Sequence, residues 1–99
     1  MISTPVVLFI YKRLDTTIRV LNVIKKAKPQ TFYLIADGPK SENDKSECNY
    51  IREYIERNVD WPCNFIKIYS DINTGLAKRI STGLDIVFSN EESAIILTA

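Results

Sequence analysis

Three short polar stretches carry the residue types that could hold a small charged ligand. The first is Tyr11-Lys12-Arg13-Leu14-Asp15, the second Asp37-Gly38-Pro39, and the third Ser70-Asp71-Ile72-Asn73-Thr74-Gly75, followed by Lys78 and Arg79. Lysine and arginine complement phosphate oxygens. A carboxylate accepts hydrogen bonds from a ring N–H or a sugar hydroxyl, and Gly38 leaves room for a flat ring to approach the backbone. Each stretch also has a plain structural reading. Asp15 can cap a helix, Asp37 can open an Asx turn before Gly-Pro, and Asn73 can cap a helix whose basic residues are solvated. Lys78 and Arg79 fall in a first helical turn, where positive charge opposes the macrodipole, so helix stability does not account for them.

The elements that must position these stretches alternate. Residues 5–11 (PVVLFIY) form a continuous apolar run, which suits a strand buried on both faces of a parallel sheet. Ile18, Leu21, Val23 and Ile24 then give a helical apolar spacing, capped by Asp15 or Thr16 and ended by Pro29. Residues 31–36 (TFYLIA) read as a second strand. A second helix over about 44–58 carries Cys48, Ile51, Ile55 and Val59 on one face. Residues 63–69 (CNFIKIY) alternate more strongly and read as an edge strand, with Lys67 exposed. A third helix over about 74–90, capped by Asn73, has the stripe Leu76, Ile80, Leu84, Val87 and Phe88. Gly83 costs that helix about 1 kcal/mol relative to alanine, which points to close helix–sheet contact there. Residues 94–99 (AIILTA) read as a buried fourth strand. Strands alternating with helices predict an α/β, Rossmann-like three-layer α/β/α fold: one domain over 1–99, with a mainly parallel four-stranded sheet in the order 3-2-1-4. In that order the three polar stretches leave the carboxyl ends of strands, where ligands bind in such folds.

Composition narrows the function. A 99-residue chain with 45% apolar and 25% charged residues is a globular domain, and its net charge of +1 gives no basic surplus for nucleic acid. Cys48 and Cys63 are too few and too far apart for a disulfide framework or a metal pair, and both read as buried. The absence of histidine removes Ser-His and Cys-His nucleophile pairs. No apolar stretch reaches the roughly 20 residues of a membrane span, and no signal pattern opens the chain, so a cytoplasmic location is expected. Neither G-x-G-x-x-G nor G-x-x-x-x-G-K-[ST] occurs, which weighs against a dinucleotide fold and a P-loop.

The ordered combination resembles the nucleotide-sugar-binding half of a GT-A glycosyltransferase of the family 2 kind. Pro5-Val6-Val7-Leu8-Phe9-Ile10-Tyr11-Lys12-Arg13 is similar to that family's first strand and nucleotide loop. Ile35-Ala36-Asp37-Gly38 is similar to its second strand end, and Asn73-x-Gly75, Arg79 and Gly83 to its helix start. Val59-Asp60-Trp61-Pro62-Cys63, Ser81-x-Gly83-Leu84-Asp85 and Ala94-Ile95-Ile96-Leu97 look closest to a bacterial subgroup of nucleotide-diphospho-sugar transferases, some labelled haemolytic-protein-like. The resemblance implies a nucleoside diphosphate sugar of UDP type as partner. Tyr11, Arg13 and Gly38 would lie in the nucleotide pocket, Asp37 on the base, and Lys78 or Arg79 near the base or diphosphate.

One departure stands out. In that family the fourth strand ends in an acidic motif that holds Mn²⁺ or Mg²⁺, whereas Leu97 is followed here by Thr98 and Ala99. The expectation is a truncated GT-A half with no cofactor of its own, the cation belonging only to a full-length relative. It should bind nucleotide weakly and transfer no sugar alone. The alternative expectation is a non-catalytic module that self-associates as a homo-oligomer through an uncovered fourth strand.

Overall fold

The computed structural model describes residues 2–99. Seven elements alternate along the chain: β1 (Val6–Ile10), α1 (Leu14–Ala27), β2 (Thr31–Ala36), α2 (Glu42–Asn58), β3 (Asn64–Tyr69), α3 (Leu76–Asn90) and β4 (Ile95–Thr98). The strands form one sheet in the order β3-β2-β1-β4, with every pairing parallel, as the alternation predicts.

All five residues of β1 are buried because both sheet faces are covered there. On one face Leu8, Ile10, Leu34 and Phe32 pack with Leu21 and Ile24 of α1 and with Ile51 and Ile55 of α2. On the other face Val7, Phe9, Tyr33 and Ile35 pack with Val87 of α3. This two-sided burial explains why β1 and β2 read as unbroken apolar runs. Trp61 closes the first face: it lies 6.0 Å from the Phe32 ring, and its indole N–H donates to the Pro29 carbonyl at 2.9 Å. Gly83 is buried where α3 crosses the sheet. A Cβ there would meet Phe9 Cε1 at 2.7 Å, so the close helix–sheet contact expected of this glycine is present.

Several expectations need correction. β4 is not buried. Ile95 is 42% and Ile96 37% exposed, because β4 is an edge strand that pairs with β1 on one side only. Cys63 is only half-buried, since it precedes the edge strand β3. Leu76 and Phe88 lie outside the packed stripe of α3 and are exposed, and Val23 of α1 is exposed likewise. The helix starts also differ. α1 opens directly after Arg13, without a cap from Asp15 or Thr16. α2 begins two residues earlier than its apolar spacing marks, and α3 begins two residues later, behind Gly75.

Candidate functional site

A cavity of about 570 Å³ opens at the carboxyl ends of the strands. It lies where β1 is flanked by β2 on one side and β4 on the other, so chain connections diverge to left and right of it. This is the switch point at which open α/β sheets form a crevice. Phe9, Ile10 and Ile80 give it apolar walls, and Tyr11, Arg13, Asp37, Lys40, Asn73 and Arg79 supply its polar groups.

Asp37 is the best-anchored of these. It directly follows β2 and is 5% exposed. Its Oδ1 accepts from the Gly38 N–H at 2.9 Å and the Thr74 N–H at 3.1 Å. Thr74 Oγ1 and Arg79 Nε approach the same oxygen at 3.4 Å, a distance at which attraction is mainly electrostatic. Oδ2 takes no hydrogen bond from the described residues and is not sealed from solvent. The Asx-turn reading and the ligand reading of Asp37 therefore share one side chain, with Oδ1 holding the fold and Oδ2 left over.

The loop after β3 is shaped around that carboxylate. Asn73 Nδ2 donates to the Gly38 carbonyl at 3.0 Å, and its Oδ1 accepts from the Gly75 N–H at 3.1 Å. Gly75 has φ +88 with open space around its missing Cβ, so glycine serves conformation there and not clearance. α3 follows with no side-chain cap, and α1 likewise has none, so both helix N-termini keep unpaired N–H groups near the cavity.

The structure brings Tyr11, Arg13, Asp37 and Arg79 together around this cavity and leaves Gly38 and Lys78 outside it. Lys78 is exposed: of the two adjacent basic residues, only Arg79 faces the sheet end. Gly38 is buried, and a Cβ on it would strike the backbone of Ile72, so it makes room for the β3–α3 loop and not for a ring. Lys12, expected to add free charge, is engaged. Its Nζ donates to Asp44 Oδ1 at 2.8 Å, and the Tyr11 hydroxyl donates to Asp44 Oδ2 at 2.8 Å. The hydrogen bond to Asp44 raises the Lys12 pKa, and the same bond lowers that of Asp44. Burial, then the bond to Asp44, raises that of Tyr11.

Sequence reasoning missed Lys40, Asp44 and Arg52. Lys40 lines the cavity, and its main-chain N–H donates to the Tyr11 hydroxyl at 3.3 Å. Asp44 and Arg52 act from α2, and their only signal in the sequence was a charge among the many charged residues of an amphipathic helix. The described residues contain no group of three His, Cys, Asp or Glu side chains that could hold a metal ion.

No family model, curated protein or solved structure matches the chain.

Proposed function

We propose that the crevice binds a nucleoside diphosphate sugar, of UDP type, as the donor site of a GT-A glycosyltransferase. The observation carrying this reading is the charge arrangement at the switch point. One carboxylate oxygen of Asp37 is left free in a cavity that Arg13, Lys40 and Arg79 also line, with Phe9 and Ile80 among its apolar walls. A diphosphate needs several cationic donors. A pyrimidine ring needs an acceptor for its N–H and an apolar surface to lie on. The uncapped first turns of α1 and α3 add partial positive charge on the same side. Among the described residues Asp37 is the one acidic side chain lining the cavity, and the other charged side chains there are cations, so these residues do not fit a resident divalent ion and no step is assigned to one.

The test is an NMR titration with UDP and UDP-sugars, with and without Mn²⁺, with GDP and pyrophosphate as comparisons. The amides of Asp37, Gly38, Gly75 and Arg79 should shift together, and UDP should saturate at lower concentration than pyrophosphate. Absence of any shift at millimolar UDP overturns the reading.

A second reading has its own observation. β4 leaves one edge unpaired, with Ile95 and Ile96 exposed along it, and such an edge favours pairing with another copy. In that reading the chain is a non-catalytic self-associating module. A compact monomer at high micromolar concentration by sedimentation counts against it.

A further inference from the structure

Arg52 sits in the middle of α2. Its helix neighbours Glu53 and Arg57 are exposed, yet Arg52 is half-buried. Its Nη2 donates to two main-chain carbonyls, that of Asp37 at 3.0 Å and that of Ser70 at 2.9 Å. Those carbonyls belong to the first residue after β2 and the first residue after β3. The guanidinium lies 4.6 Å from the centre of the Tyr69 ring, and the Tyr69 hydroxyl donates to Glu56 Oε2 at 2.6 Å, one turn further along α2. Arg52 Nε is buried and has no partner among the described residues. A buried donor without a partner is costly and rare. The side chain is thus placed for the two carbonyls at the expense of its own hydrogen bonding.

We propose that Arg52 is a positioning residue of the crevice. It clamps the chain leaving β2 to the chain leaving β3, so that Asp37 Oδ2 and Arg79 meet the ligand as one wall. The ligand's identity rests on the nucleotide reading above; the clamp does not. Other bonds join the same two segments: Ser70 N–H to the Ala36 carbonyl at 3.0 Å, and Gly38 N–H to the Ile72 carbonyl at 3.1 Å. Arg52 differs from these because it ties the pair to a third element, α2. Asp37 is consequently held from both helical layers, its carbonyl by Arg52 of α2 and its carboxylate by Arg79 of α3. Lysine is no substitute here, because the flat guanidinium both lies against Tyr69 and aims Nη2 between the carbonyls.

The test compares Arg52→Met and Arg52→Lys with the wild-type chain by amide hydrogen exchange and UDP titration. Continued protection of the Leu8 amide in central β1 marks an intact fold, and Arg52→Lys keeps the charge should the methionine variant fail to fold. In both variants exchange at the Gly38 and Thr74 amides should rise tenfold or more, with UDP affinity falling at least tenfold in Arg52→Met and less in Arg52→Lys. In an Asp37→Asn background the same Arg52→Met change should cost less than twofold in affinity, because Arg52 acts through Asp37. A purely structural role would give the same loss in both backgrounds. Unchanged Gly38 and Thr74 exchange, or additive affinity losses, overturns the proposal. If wild-type chain binds no UDP, the nucleotide reading falls, while the exchange rates still decide the clamp.

Discussion

Arg79 Nε lies 3.4 Å from Asp37 Oδ1, and this contact joins the end of β2 to the first turn of α3. Both side chains are largely withdrawn from water, at 13% and 7% exposure. At that depth removing one partner leaves the other charge poorly compensated. Arg79→Met is therefore expected to destabilise the fold by about 1–3 kcal/mol, the range for leaving a buried polar partner unsatisfied. Asp37→Asn should cost less, since an amide oxygen can still accept from the Gly38 and Thr74 N–H groups. Urea unfolding of the two variants checks the order. For UDP both should weaken binding, Arg79→Met about tenfold or more, read by the same amide titration.

The glycines give a second ordering. A Cβ on Gly38 meets main-chain atoms of Ile72, which cannot move without displacing the β3–α3 loop. A Cβ on Gly83 meets Phe9 Cε1 at 2.7 Å and Ile35 Cδ1 at 3.0 Å, both ends of side chains. Gly83→Ala also gains about 1 kcal/mol of helix propensity. Overpacking of this kind costs roughly 1–3 kcal/mol, so Gly83→Ala should lose at most about 2 kcal/mol net and Gly38→Ala more, on the order of 3 kcal/mol. For a domain this small, each kcal/mol lowers the melting temperature by about 4–8 °C. A Gly38→Ala protein as stable as wild type would contradict the packing described.

Much of this architecture is legible in the sequence, for physical reasons that also mark where legibility ends. β1 and β2 are central, and two-sided burial forces apolar residues at every position, so their runs are unmistakable. The same rule misreads β4: Ile95, Ile96 and Leu97 form an equally apolar run, yet periodicity carries no information about what covers a strand. Lys78 and Arg79 are adjacent, and a helix turns about 100° between them. Which one faces the crevice depends on the start of α3, and the positive φ of Gly75 sets that start at Leu76. The pairing of Lys12 with Asp44 and the reach of Arg52 to Ser70 span distant parts of the chain, and no local pattern encodes them.

Stability should fall at both pH extremes through different residues. Asp44 has a lowered pKa in the fold, chiefly from the Lys12 hydrogen bond and then that of Tyr11. Its contribution is present above the unfolded carboxylate value and is lost as pH falls through the depressed folded value. Lys12 is raised by the same bond, so its contribution holds below the unfolded lysine value and is lost as pH rises through the folded one. Tyr33 adds to the alkaline side. Burial, then its hydrogen bond to Glu91, pushes its pKa up to about 12. Between about 10 and 12 the unfolded chain releases this proton while the folded chain keeps it, so stability declines with pH across that window. Urea midpoints from pH 2 to 12 are the measurement. Asp44→Asn should flatten the acid limb, and Tyr33→Phe should flatten part of the alkaline limb without touching the acid one.

The outer edge of β4 sets the last prediction. Parallel register with β1 puts Ile96 beside Val7, on the α3 face, and Ile95 beside Val6, on the other. Both isoleucines are exposed, and the strand carries no charge to discourage pairing. If the edge recruits a second copy, Ile96→Lys should abolish the association by placing a charge in the new sheet, while leaving β1–β2 pairing and the cavity in place. Sedimentation of wild type and variant reads this directly: wild type should shift toward dimer with concentration, and the lysine variant should remain monomeric. The nucleotide titration is the counterpart measurement. Ile96 does not line the crevice, so the variant should bind UDP within about twofold of wild type at equal protomer concentration. A parallel loss of UDP binding would mean that the edge and the crevice are not independent, and that a second copy completes the site.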